Sequence, residues 1–192
     1  MMRNSINSYL SALVMVLALL FSANAFATET VQSTIEIGGE KYNLYTGFTA
    51  TAGSEAPSGY VLQNMVDGDL TTGWNTAPSV SEDYASRGYA YFEFSSDVPI
   101  VLKGYVLNSH RASGYHPTDR RLYAKANEDD EYALVSSYTN EDYSGTQNSF
   151  PIANEDNKPY RYFRFEGTNS VQHVWLHEIR LYGGQKVGLS NT

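Results

Sequence analysis

Residues Asn64 to Trp74 read NMVDGDLTTGW. Asp67, Asp69, Thr71 and Thr72 place two carboxylates and two hydroxyls within a six-residue span. Oxygen at that density suits a hard cation such as calcium, which takes about six to eight ligands from carboxylates, hydroxyls and main-chain carbonyls. Gly68 lets the chain fold back so that successive carbonyls point inward. The spacing is not that of an EF-hand. With Asp67 as first ligand, the twelfth position is Pro78, where a bidentate Glu is required. The residues alone leave a second reading equally open, because Asp-Gly is also a common hairpin turn.

A different chemistry is suggested by NSHRASGYHPTDRR, Asn108 to Arg121. Sugars present vicinal hydroxyls and one flat apolar face. Arg111 offers a planar fork of donors, His110 and His116 each a donor and an acceptor, and Tyr115 a ring with a hydroxyl. The plain alternative is a solvated loop, since His and Arg are common on surfaces. Pro117 and Asp119 read as a turn feeding the next strand, with no ligand role. Tyr60, Tyr84 and Arg87 are weaker candidates in neighbouring loops. His173 and His177 are four apart, but the segment reads as a strand and lacks the Glu of a zinc-binding H-E-x-x-H helix, so zinc is not expected.

Short alternating segments must position these loops. TIEIGGEKYNLY (Thr34 to Tyr45) reads as a hairpin turning at Gly38-Gly39. YAYFEF (Tyr89 to Phe94) places Ala90, Phe92 and Phe94 on one face, and a turn at Asp97 to Pro99 separates it from IVLKGYVLNS (Ile100 to Ser109). RRLYAKAN, YALVSSY, YRYFRFEG and VWLHEIRLYG supply further strands. Sixteen Tyr and eight Phe favour pleated, half-buried surfaces. The pattern predicts an all-β sandwich with one domain and no linker.

Arg3, the apolar run Ser11 to Phe21 and the small-x-small ending Ala25-Phe26-Ala27 read as a secretory signal cleaved after residue 27. The run is too short to span a bilayer comfortably, so no membrane insertion is expected after cleavage. The chain that remains holds 12 basic and 21 acidic residues, a net charge of −9. That balance repels phosphate backbones and disfavours nucleic acid or anionic lipid as partner. Cysteine is absent, so stability must come from the core, the turns or a bound metal. The sequence holds no G-x-S-x-G motif, no cysteine nucleophile and no phosphate-cradling glycine loop. The carboxylates that can be placed lie in turns or in the cation loop. An enzyme is therefore not expected.

Taken in order, NMVDGDLTTGW, YFEFSSDVPIVLKGYVL, RRLYAKANEDDEYALV, YRYFRFEG and VWLHEIRLYG resemble the discoidin domain, also called the coagulation-factor type C domain. Its bacterial sugar-binding members are the family 32 carbohydrate-binding modules. The resemblance covers Thr46 to Gly183. It implies a jelly-roll β-sandwich of the galactose-binding-like type. The hairpin segment 28–45 precedes it, and the small, polar stretch 184–192 reads as a flexible tail. The resemblance also implies one structural calcium. The D-G-D-x-x-T pattern falls on Asp67, Gly68, Asp69 and Thr72, a preceding carbonyl on Asn64, and the terminal acid on Glu178 with a carbonyl from His177. Trp74 is then a core residue rather than a sugar platform. Sugar contacts are expected from His110, Arg111 and Tyr115. Asn75 stands where many relatives carry His, which departs from the galactose pattern although Asn still bonds hydroxyls. The expected function is a secreted or periplasmic, monomeric, lectin-like module that binds a glycan or glycoprotein. The alternative is a discoidin-type cell-adhesion or protein-interaction domain without sugar binding.

Overall fold

The computed structural model describes residues 31–54, 59–76, 89–109, 116–139, 147–168 and 174–184. Among them are ten strands: β1 Val31–Ile37, β2 Glu40–Tyr45, β3 Thr49–Gly53, β4 Trp74–Asn75, β5 Tyr89–Ser109, β6 Asp119–Lys125, β7 Ala133–Tyr138, β8 Gln147–Pro151, β9 Pro159–Thr168 and β10 Trp175–Gly183. A single turn of 3-10 helix, Leu62–Met65, precedes the acidic loop. Within the described residues no helix is long and apolar enough to cross a membrane.

The pairings are antiparallel and form two sheets. One runs β1-β2-β10-β5-β8, with β4 also on β10. The other runs β3-β5-β9-β6-β7. Alternation decides which side chains meet between them. Phe92 and Phe94 of β5 lie opposite Phe165 and Phe163 of β9. All four are buried, with Tyr105, Leu107, Leu122 and Ile179 in the same core. Their rings pack at centroid distances of 5.2 to 5.7 Å, the range in which aromatic pairs attract.

β1 and β2 turn at Gly38 and Gly39, whose φ values of 61° and 80° are the left-handed pair a tight hairpin needs. The hairpin extends the first sheet beyond β10. Ile35, Ile37 and Tyr42 pack there on Leu44, Val106 and Tyr182, a small second core.

The expected break at Asp97 to Pro99 is not a break. β5 continues through it, first along β9 and then along β10 and β8, so one strand serves both sheets. The register shifts between Ser95 and Ile100, and this irregularity absorbs the proline that suggested a turn. Arg161 holds the bend by donating from Nε to the Ser96 carbonyl (3.3 Å) and from Nη2 to that of Asp97 (3.1 Å).

Candidate cation site and glycan rim

The acidic loop leaves the 3-10 turn at Val66 and ends at Trp74 in β4. Met65, Val66 and Trp74 have no exposed surface, so both ends are anchored in the core. Trp74 meets Phe92 edge-on at 5.6 Å between centroids. Gly68 has φ +85°, which an L side chain rarely adopts. The loop is closed by its own polar groups. Asn64 Nδ2 donates to the Gly73 carbonyl at 2.9 Å. The Thr72 hydroxyl lies 3.0 Å from both Asp67 Oδ2 and the Asp69 carbonyl. The Asp69 carboxylate turns away and accepts from the Thr71 amide (2.8 Å) and hydroxyl (2.7 Å). Those bonds favour its charged form and lower its pKa.

Glu178, 110 residues further along the chain, meets this loop. It sits in β10 opposite Asn108 of β5, with no exposed surface. Its Oε2 accepts weakly from the Gly68 amide at 3.3 Å, while its buried Oε1 has no hydrogen-bond partner. Burial pushes the Glu178 carboxyl up to about 9, and the nearby Asp67 adds to the rise, against the pull of Gly68 and Arg180. His177, next to it, places Nδ1 3.1 Å from the Leu70 carbonyl and so ties the loop to β10 a second time.

An orphaned oxygen on a buried carboxyl is a costly arrangement unless something else satisfies it. Calcium fits the donors present. Asp67 and Glu178 would supply charge, Thr72 a hydroxyl, and Asn64, Asp69 and His177 main-chain carbonyls. Among the described residues no three acidic or imidazole side chains converge, so hydroxyl and carbonyl oxygens would have to complete such a shell. The bound ion would neutralise the two facing carboxylates and clip two distant segments together.

The expected sugar contacts are placed less fully. His110, Arg111 and Tyr115 lie outside the described residues, as do Tyr84, Arg87, His173 and the signal segment. Asn75 is 4% exposed, in β4 opposite Trp175. It is thus a buried residue of the strand. Tyr60 stands edge-on to Trp175 at 5.7 Å. His116 is buried. Pro117 packs where a side chain on Gly167 would otherwise sit.

Residue types gave no warning of Arg120. It is 1% exposed, with its guanidinium 4.1 Å from the Phe150 ring centre and 5.0 Å from that of Tyr138. One Nη donates to the Pro117 carbonyl at 3.2 Å. Alternation with Leu122 and Ala124 was the available signal, because it sets Arg120 on the inward face.

No protein-family model matches the sequence, and no curated protein does. Solved structures match. Chitosan-binding module 1 of a chitosanase/glucanase from Paenibacillus sp. IK-5 aligns with TM-score 0.55 and 18% identity, over 72% of this chain and 96% of that one. An F5/8 type C domain from Bacteroides fragilis aligns with TM-score 0.53 and 18% identity, over 72% and 98%. The fold is that of the discoidin domains. A third discoidin-fold structure, the family 32 carbohydrate-binding module of C. perfringens NanJ in complex with galactose, aligns with TM-score 0.53 and 12% identity, over 71% and 93%. The discoidin fold agrees with the sandwich architecture expected from the sequence segments.

Proposed function

We propose that the chain is a secreted or periplasmic, non-catalytic carbohydrate-binding module with one structural calcium. The observation that carries the sugar-binding part is the fold itself. Nearly the whole length of modules that bind chitosan or galactose finds its counterpart here. The calcium part rests on Glu178, whose Oε2 accepts from the Gly68 amide while its buried Oε1 has no hydrogen-bond partner, beside a loop that carries Asp67 and Thr72. Asp67, Asp69, Thr72 and Glu178, with the carbonyls of Asn64 and His177, hold the ion. The loop that carries His110, Arg111 and Tyr115 recognises a glycan or glycoprotein, and the module acts as a monomer. Single-site sugar affinity falls in the order of millimolar to micromolar, as suits a shallow polar site.

The test is a glycan array probed with the mature protein in calcium and in EGTA. We expect glycan signal that Arg111→Ala removes and Arg87→Ala keeps. A folded protein without signal on any glycan would refute sugar binding and favour the adhesion reading. Glycoside turnover by pure protein would refute the non-catalytic assignment.

A further inference from the structure

The outer face of the first sheet carries a polar row beside the acidic loop. Register sets Glu178 of β10, Asn108 of β5 and Gln147 of β8 side by side across three strands. Directly opposed residues of neighbouring strands have Cβ atoms about 5 Å apart. Arg180 lies two residues beyond Glu178 on β10, opposite Val106, and alternation puts the Arg180 and Glu178 side chains on one face. Its guanidinium reaches back to the row. Nη2 donates to Asn108 Oδ1 at 3.0 Å and to Gln147 Oε1 at 2.7 Å. Its Nε is buried and has no hydrogen-bond partner.

Both acceptors are neutral amides, so these bonds fix the position of the guanidinium without cancelling its charge. Among the described residues Arg180 takes part in no ion pair. A positive charge therefore stands on the row that holds Glu178. The two groups act on each other. Burial raises the pKa of the Glu178 carboxyl, and Arg180 pulls against that rise. Burial lowers the pKa of Arg180, and Glu178 opposes that fall. Salt screens partly buried charges less than exposed ones, so the influence persists across the row.

We propose that Arg180 is an affinity-determining residue of the cation site, a fixed positive charge that weakens the hold of Asp67 and Glu178 on calcium. The inference rests on the calcium reading above and adds to it what limits the affinity. A guanidinium has donors only, so Arg180 is not itself a ligand. The Asp69 carboxylate is engaged by Thr71, which leaves Asp67 and Glu178 as the acidic ligands. Two carboxylates set against one guanidinium make a weakly charged site, and the calcium affinity of oxygen sites follows the charge of their ligands. The guanidinium acts on a divalent ion with twice the force it exerts on a proton. Its removal therefore favours calcium over the proton that competes for the same carboxyl.

Calorimetric titration of the full mature chain with calcium chloride, at neutral pH and low salt, tests this. Arg180→Met and Arg180→Gln should each bind calcium about fivefold more tightly than the unmutated protein. Arg180→Lys keeps the charge and should stay within about twofold of it. A purely structural role predicts the opposite sign, because loss of the bonds to Asn108 and Gln147 would loosen Glu178 and weaken calcium binding in all three variants. Either neutral variant suffices once its melting curve in EGTA shows that it is folded. Unchanged or weaker calcium binding in the neutral variants, or equal tightening by Arg180→Lys, would overturn the role of Arg180 and leave the calcium reading intact. No calcium binding by any of the folded proteins, with no rise in Tm on adding calcium, would overturn both.

Discussion

Two loops in this protein tie remote strands together, and they do so with different completeness. The loop between β8 and β9 is fastened by Asn154. Its Nδ2 donates to the carbonyls of Leu102 (3.2 Å) and Lys158 (3.0 Å), and its Oδ1 accepts from the Lys158 amide (3.1 Å). Lys103 Nζ donates to the Asn154 carbonyl at 2.6 Å. The amide therefore uses both its donor and its acceptor ends on protein. The loop between the 3-10 turn and β4 is fastened by Glu178, and there one carboxyl oxygen is left buried and unpartnered. A neutral amide completes its junction from the polypeptide alone. A buried carboxyl facing a carboxylate must either hold its proton or share a cation with it, and burial already pushes Glu178 toward the first.

The contrast breaks most directly at the ion. Calcium at about a thousandfold above its dissociation constant should stabilise the protein by about 4 kcal/mol. Differential scanning fluorimetry should read this as a rise in Tm of about 10 °C over the EGTA-treated sample. Glu178→Gln should leave a rise of less than about 2 °C. If the unmutated protein melts at one temperature in both buffers, the calcium assignment fails. Asn154→Ala comes next, at about 2 kcal/mol lost in urea denaturation. That loss should be the same with calcium and with EGTA, since the asparagine junction involves no ion. A calcium-dependent loss would mean that the two junctions are coupled.

Smaller effects sharpen the assignment within the acidic loop. Asp67→Asn should weaken calcium binding about tenfold, equivalent to about 1.4 kcal/mol, in a chelator-competition titration. Asp69→Asn should change it less than about threefold, because that carboxylate is exposed, screened and turned toward Thr71. The reverse order of these two variants would show that the Asp69 side chain, rather than its carbonyl, faces the ion.

Much of the sandwich was legible because period-two alternation is a local signal. Phe92, Phe94, Phe163 and Phe165 announce an inward face in β5 and β9. Gly38-Gly39 announces its own hairpin. The bend in β5 misled because Pro99 removes a donor, yet the ladder absorbs that loss through a register shift. The approach of Glu178 to Asp67 is a long-range fact, and only the resemblance suggested it. The groove that Tyr89, Arg121, Thr139 and Thr168 line was not legible either, because its lining comes from four separate segments of the chain.

β5 hydrogen-bonds through its first half to β3 and β9, and through its second half to β10 and β8. Neither layer can therefore peel away while the other stays intact without rupturing a strand that both rely on. Hydrogen exchange should then register a single opening event for amides on both faces of the core, and thermal melting should follow one sigmoid at any probe wavelength. A chain without cysteine crosslinks gains from this, because such cooperativity leaves no half-open form for a protease to cut.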